Sequence, residues 1–266
     1  MFRLSANLEY MFKEAGDTLE ERIAAAAAAG IQKVEIFSLD GRDIKAVADA
    51  LNKYQVTLHS MVVDPRIMLV LPDTHAKFLQ VFRSAAEQAV ELGCKHLVCG
   101  SGTGAPFLKR SVSLLNVVEA IAKAADIAKE FGLTIWLEAV NTRVDHPGVF
   151  FSKTEDTLFV ASKVNRPEVK VLYDIYHSVA EGENVEEELA KVKPWLGHIQ
   201  VADYPGRGEP GTGNMNWQKV LQQLQAAGYK GDIGVECYPT VANTPNALSF
   251  FKQLLVAANH DVTPEL

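Results

Sequence analysis

Four apolar stretches in the second half of the chain each stop at a side-chain oxygen that could hold a cation. They are Thr134-Ile-Trp-Leu-Glu138, Val169-Lys-Val-Leu-Tyr-Asp174, Leu196-Gly-His-Ile-Gln200 and Ile233-Gly-Val-Glu236. Taken singly, each reads as a strand-end residue capping the loop that follows. Taken together, at intervals of about one βα unit, they suggest one ring of oxygen ligands. Three carboxylates in one place repel strongly unless a cation holds them or they take up protons. Oxygen donors without a thiolate suit a hard divalent ion, Mg²⁺ or Mn²⁺, better than Zn²⁺.

Histidines and an arginine lie close to this pattern. His177 sits three residues past Asp174, at the start of the following loop, and can face the same cavity. His198 shares a strand face with Gln200, because side chains alternate with period two, and points into the interior one layer deeper. His59 has two open readings, a core histidine or a ligand contact. His75, His96, His146 and His260 read as surface or structural, with His146 inside a long loop. Arg207 is the one cation in the Gly/Pro-rich loop Ala202–Gly213; it is either solvated or neutralises an anionic substrate or developing oxyanion. Asn141 and Arg143, just past Glu138, present the same choice. The glycine-rich Cys99-Gly-Ser-Gly-Thr-Gly104 lacks a helix start at its glycines, since Pro106 follows and the next helical pattern begins near Ser111. A flexible loop fits it better than a phosphate cradle.

Short β-branched runs alternate with longer patterns of 3.6 period. The predicted strands are 2–7, 33–36, 56–62, 96–99, 133–138, 169–174, 196–201 and 233–237. The predicted helices are 19–29 (capped from Asp17 or Thr18), 43–54, 74–92, 111–131, 153–164 (capped from Ser152), 185–192, 217–227 and 244–259. Helix-to-strand connections are short and open on Gly30, Gly93, Gly132 or Gly228; strand-to-helix connections 100–110, 139–151 and 202–216 are long and polar. Eight such units with this asymmetry predict an α/β fold, a single (β/α)₈ barrel over 1–266, whose long loops surround the active face. No linker divides it. The carboxyl ends of strands five to eight then converge at the barrel mouth.

The chain's 266 residues, 48% of them hydrophobic, can bury the core such a barrel needs. A formal net charge of −7 argues against a nucleic-acid binder and for small-molecule chemistry. Cys94, Cys99 and Cys237 are too few for a disulfide framework and read as reduced thiols of a cytoplasmic protein. The first residues show no signal-peptide pattern, and no apolar run is long enough for a membrane span. No face marks an oligomer interface, and association through the outer helices stays open.

The motifs Leu137-Glu-Ala-Val-Asn-Thr-Arg143, Tyr173-Asp-Ile-Tyr-His177, Gly197-His-Ile-Gln-Val-Ala-Asp203 with Pro205-Gly-Arg-Gly-Glu-Pro-Gly-Thr-Gly213, and Gly234-Val-Glu236 resemble the hydroxypyruvate isomerase family. That family falls within the xylose isomerase-like barrels, with ketose 3-epimerases as cousins. The resemblance runs from Ala6-Asn-Leu8 to the last helix and is most specific between Gln200 and Gly213. It implies that Glu138 and Glu236 both bind the metal and exchange the substrate proton. It implies that Asp174 and Gln200 complete the ligand set, and that His177 and Arg207 hold substrate oxygens. Asn141 and His59 join these as candidate substrate contacts. The loops after strands two and three are shorter than is typical of the family, a departure in the part that shapes the substrate pocket. A metal bound to adjacent carbonyl and hydroxyl oxygens would acidify the intervening C–H, with two carboxyls moving the proton through an enediolate. The expected reaction is isomerisation of hydroxypyruvate to tartronate semialdehyde. The alternatives are ketose 3-epimerisation, isomerisation of another small sugar acid such as a 2-oxo-tetronate, a metal-dependent endonuclease, a cyclitol lyase, and a non-catalytic sugar-binding barrel.

Overall fold

The computed structural model describes residues 2–260. Eight parallel strands close into one barrel in sequence order: β1 (Arg3–Asn7), β2 (Lys33–Ile36), β3 (Thr57–Val62), β4 (His96–Cys99), β5 (Thr134–Glu138), β6 (Val169–Asp174), β7 (Leu196–Val201) and β8 (Asp232–Val235). The helices are α1 (Leu19–Ala28), α2 (Ile44–Tyr54), α3 (His75–Glu91), α4 (Arg110–Phe131), α5 (Thr154–Val164), α6 (Ile175–Glu181), α7 (Val185–Val192), α8 (Trp217–Ala226), α9 (Thr244–Ala247) and α10 (Ser249–His260). The (β/α)₈ expectation holds, and among the described residues no helix is long and apolar enough to cross a membrane.

Local chemistry explains the element ends. Thr18 caps α1 in a reciprocal box with Glu21, and the helix buries Leu19, Ile23 and Ala26 against the sheet. Gly132 ends α4 in the left-handed conformation open to glycine. Three expectations shift. Ser152 does not cap α5; the Asp156 carboxylate instead accepts from the Ser152 and Lys153 backbone N–H groups at 3.1 and 3.2 Å. The last helix is two, α9 and α10, meeting at Leu248. Helix α6 was not anticipated: β6 runs into it with no intervening loop, because Asp174 is both strand end and helix cap, accepting from the His177 backbone N–H at 3.0 Å.

The glycine-rich stretch after β4 is not a free loop. Ser101 is fully buried; its hydroxyl accepts from Phe151 N at 2.7 Å and its carbonyl from Leu69 N at 3.0 Å. Thr103 bridges Val149, so this segment ties the loops after β3, β4 and β5 together. Gly102 makes the approach possible, with φ +69° and a would-be Cβ only 2.3 Å from the Ile67 carbonyl oxygen. Gly102→Ala is therefore expected to destabilise the protein by about 2 kcal/mol or more, from overpacking together with left-handed backbone strain. Denaturant unfolding checks it, and an unchanged midpoint would refute this role.

Candidate active site

The mouth of the barrel gathers side chains from the ends of β1, β2 and β5–β8. Glu138 lies at the end of β5 with its side chain 15% exposed; Asp174, Gln200 and Glu236 are each at least nine-tenths buried. Glu138 meets no hydrogen-bond donor among the described residues. Burial, then the charges of Glu236 and Asp174, push its pKa well above the ordinary carboxylate range. Burial likewise raises Asp174, against the pull of Arg207 and of backbone N–H groups. For Glu236, burial and the charges of Asp174 and Glu35 outweigh the Arg207 guanidinium and lift the carboxyl to about 7.

Glu236 is nonetheless the best-supported carboxylate of the three. It accepts from Arg207 Nη2 at 2.5 Å, Asn7 Nδ2 at 2.9 Å and Gln200 Nε2 at 3.2 Å. Arg207 reaches it from the loop after β7, with backbone φ +55° and its guanidinium carbon 5.2–5.9 Å from the ring centres of Tyr10, Tyr176 and Tyr238. Desolvated cation–π contacts of this kind hold an arginine where water would otherwise take it. The loop is pinned by buried Asp203, whose carboxylate accepts from Gly211 N, Met215 N and Trp217 Nε1 at 2.7, 3.1 and 2.8 Å.

His177 opens α6, and its ring faces the mouth with Nε2 4.0 Å from a Glu138 oxygen. Asn141 sets its tautomer. The Asn141 side-chain carbonyl accepts from Val144 N and Asp145 N at 2.9 and 3.0 Å, so its NH₂ must be the end that meets His177 Nδ1, at 2.7 Å. Nδ1 is then an acceptor and the proton sits on Nε2. Burial, then Arg207, holds the ring well below the usual histidine pKa, so it is neutral. Glu138, Asp174 and His177 stand close enough to share an ion. With its proton on Nε2, His177 offers a donor for a substrate oxygen rather than a lone pair for a metal.

His59 is not at the mouth. Its ring packs one layer down, 4.9 Å from His198 and 5.3 Å from Trp136, with Nε2 4.0 Å from Asp232. It takes the core alternative rather than a substrate contact, because that point on β3 lies below the cavity. His198 points inward beneath Gln200, 2.8 Å from Glu35. Arg143 is mostly exposed and turned toward Glu181. His75 is structural, bonded to the Leu69 carbonyl at 2.9 Å; the His260 side chain lies outside the described residues. The cleft also contains residues that the sequence did not single out: Tyr10, Glu35, Arg66 from the loop after β3, and Asn7. His146 lines it too, from the long loop after β5.

Among the described residues, two groups could take a cation by distance. Glu35, His59 and His198 form the deeper one, but Glu35 already accepts from Ser5 Oγ at 2.5 Å and bonds His198. The mouth is different, because the Gln200 side-chain oxygen is buried with no hydrogen-bond partner. Its NH₂ end donates to Glu35 at 2.7 Å and to Glu236, which fixes the oxygen as the orphan. A buried acceptor without a donor, in the cleft that Glu138 and Glu236 also line, fits a hard cation, although Glu236 lies outside the group of Glu138, Asp174 and His177 whose ligand atoms approach one another.

Three comparisons with known proteins bear on this site. The model of the xylose isomerase-like TIM barrel family matches residues 23–254. A 2-oxo-tetronate isomerase of Cupriavidus necator is 31% identical over 263 residues, 96% of this chain and 99% of the relative. The hydroxypyruvate isomerase of Escherichia coli is 31% identical over 252 residues, 90% of this chain and 94% of the relative. Among solved structures, one named AP endonuclease, family 2, from Brucella melitensis superposes with a TM-score of 0.88 at 29% identity, over 95% of this chain and 99% of that one.

The raised carboxyl pKa values carry a stability consequence. A carboxyl group whose folded pKa exceeds its unfolded value stabilises the fold fully only below the unfolded pKa, and loses that contribution as pH rises through the folded one. His59, His96, His146 and His177 are depressed and act in the opposite sense, so a difference between variants isolates the effect. In EDTA, Glu138→Gln is expected to melt higher than the wild type at pH 8, by about 2–4 °C per kcal/mol. The advantage should shrink toward pH 5. A difference independent of pH would refute the assignment.

Proposed function

Because this chain belongs to the xylose isomerase-like TIM barrel family, we propose that it is a divalent-metal-dependent isomerase of a small hydroxy-keto acid, interconverting hydroxypyruvate and tartronate semialdehyde. The observation that carries the reading is the orphan Gln200 oxygen beside Glu138, Asp174 and Glu236. These four residues would hold Mg²⁺ or Mn²⁺. The ion would supply Lewis-acid stabilisation of an enediolate by polarising adjacent carbonyl and hydroxyl oxygens.

The chain's own groups then move the proton. Glu236, supported by Arg207, Asn7 and Gln200, is the base that removes the C–H proton. Glu138, which meets no hydrogen-bond donor among the described residues, is the group that returns a proton to the neighbouring carbon. His177 donates a hydrogen bond from Nε2–H to the oxygen where charge develops, the substrate's hydroxyl proton passes to that oxygen, Glu236 and Glu138 regain their starting protonation through solvent, and Arg207 holds Glu236 in place. A binding module would gain nothing from carboxyls buried at the cost of their ionisation.

The acid class of substrate is supported by Arg66. Arg207 is committed to Glu236, whereas Arg66 lines the same cleft from an exposed position and pairs with no carboxylate among the described residues. A substrate carboxylate suits it; a neutral ketose does not need it. The relatives named for 2-oxo-tetronate and hydroxypyruvate support the same class. Delivery of the proton to the opposite face of one carbon would give epimerisation with the same residues. An endonuclease reading lacks the positive face that a phosphate backbone needs, at a net charge of −7.

Solvent-deuterium uptake into hydroxypyruvate, short keto acids and free ketoses with Mg²⁺ or Mn²⁺ tests the reading. Glu236→Gln is expected to abolish uptake; retained exchange would sink the two-carboxyl scheme. Arg66→Ala is expected to raise KM for the keto acid about tenfold, about 1.4 kcal/mol, with kcat nearly kept. An unchanged KM would remove Arg66 from substrate binding.

A further inference from the structure

Glu35 lies one layer below the mouth, in the middle of the short strand β2, and is 1% exposed. Its two oxygens are divided. Oε1 meets Ser5 Oγ at 2.5 Å and His198 Nε2 at 2.8 Å, and Oε2 accepts from Gln200 Nε2 at 2.7 Å. We propose that Glu35 is a positioning residue that fixes the Gln200 amide so that its oxygen, rather than its NH₂, faces the cation site. The inference rests on the metal reading given above.

An amide is nearly symmetric in shape but opposite in polarity at its two ends. The Gln200 NH₂ already donates to one mouth carboxylate, Glu236 Oε2 at 3.2 Å; its alternative is to turn away from Glu35 and present its donors where a cation needs an acceptor. An acceptor behind the amide removes that choice. Glu35 provides it, since an ionised carboxylate offers no donor to the amide oxygen. Ser5 and His198 occupy its other oxygen, so Oε2 is left for Gln200.

Two further features of the backbone serve the same contact. The β2–β3 pairing shifts register between Val34 and Glu35, the kind of irregularity that re-aims a side chain near a site. On β8, Gly234 leaves the space that Glu35 and His198 fill: a Cβ there would lie 2.5 Å from Glu35 Oε1, 2.9 Å from His198 Nε2 and 3.0 Å from Gln200 Cγ. The cluster is thus built from β1, β2, β7 and β8 at once.

Mn²⁺ titration of the metal-free protein by calorimetry tests the proposal without relying on turnover. Glu35→Met keeps the volume and removes the acceptor. It is expected to weaken Mn²⁺ binding 10–100-fold, the range for residues that orient metal ligands. In a Gln200→Ala background the same substitution should weaken it no further, because the two act through one contact. Unchanged Mn²⁺ affinity in Glu35→Met, or an equal loss in both backgrounds, overturns the role. If Glu35→Met does not fold, Gln200→Glu reads the same contact. Charge alone predicts tighter Mn²⁺ binding by that variant, whereas a carboxylate forced against Glu35 predicts weaker binding, so tighter binding overturns the proposal. Wild-type protein that binds no Mn²⁺ would instead refute the metal reading itself.

Discussion

Repulsion among Glu138, Asp174 and Glu236 sets the terms for the mouth of this barrel. The three carboxyls share a space with too little water to screen them, and burial is the largest cause raising each pKa. Two arginines reach the mouth from loops rather than strands, and one of them, Arg207, is locked against Glu236 and boxed by three tyrosines. The one histidine at the centre, His177, is kept neutral. A charged imidazole there would offset one of the carboxylate charges and compete with a metal ion. The arrangement reduces the repulsion without abolishing it, and leaves a place for one more positive charge.

The loops that carry these groups are held by carboxylates of another kind. Asp203 gathers four donors, three from its own loop (Tyr204, Gly211 and Met215 N–H) and the Trp217 indole of α8, Glu209 accepts from the Thr240 backbone N–H and hydroxyl at 2.8 Å each, and Glu181 receives Thr142 N at 2.8 Å. Each ties the loop after one strand to itself or to the next. Backbone N–H groups that would be unpaired in a long loop find a side-chain carboxyl acceptor there. Arg207 can therefore adopt a left-handed backbone, a conformation that persists only where the surroundings over-determine it.

The barrel and its strand ends were legible because parallel strands buried on both faces are short apolar runs, and a polar residue at the end of one stands out. The same burial hid Glu35. In Lys33-Val-Glu-Ile36 a single carboxylate between apolar neighbours gives no sign of which face it takes; pairing with Asn7 on β1 puts it inside the barrel. Arg66 was hidden for a different reason, because a single cation in an irregular loop carries no periodic signal. Helix α6 was missed because Asp174 reads from sequence as a ligand or as the cap of a loop, although an Asp followed by an apolar run is also a helix start. His59 shows the reverse error: strand placement was right, but depth along the strand decides whether a ring meets substrate or the core, and a sequence does not encode depth directly.

Beneath the mouth, the barrel gives up an apolar layer. Where other interior positions hold Val, Ile and Leu, Glu35, Ser5, His198 and Gln200 form a buried polar network, with Trp136 stacked on His198 at 4.5 Å. Burying such groups costs free energy that well-packed hydrophobic residues would not, and a half-satisfied network is worse than none. Here the deeper members are satisfied and the charge and hydrogen bond of His198, with His59 and Ser5, hold Glu35 at about 2 despite its burial. Within this network the unsatisfied atom is the Gln200 oxygen, in the cleft that Glu138 and Glu236 also line. A network that served stability alone would have no reason to leave its one open acceptor there. The Gln200 oxygen is left open toward the cleft, where a cation of the kind proposed above or a water molecule would complete it.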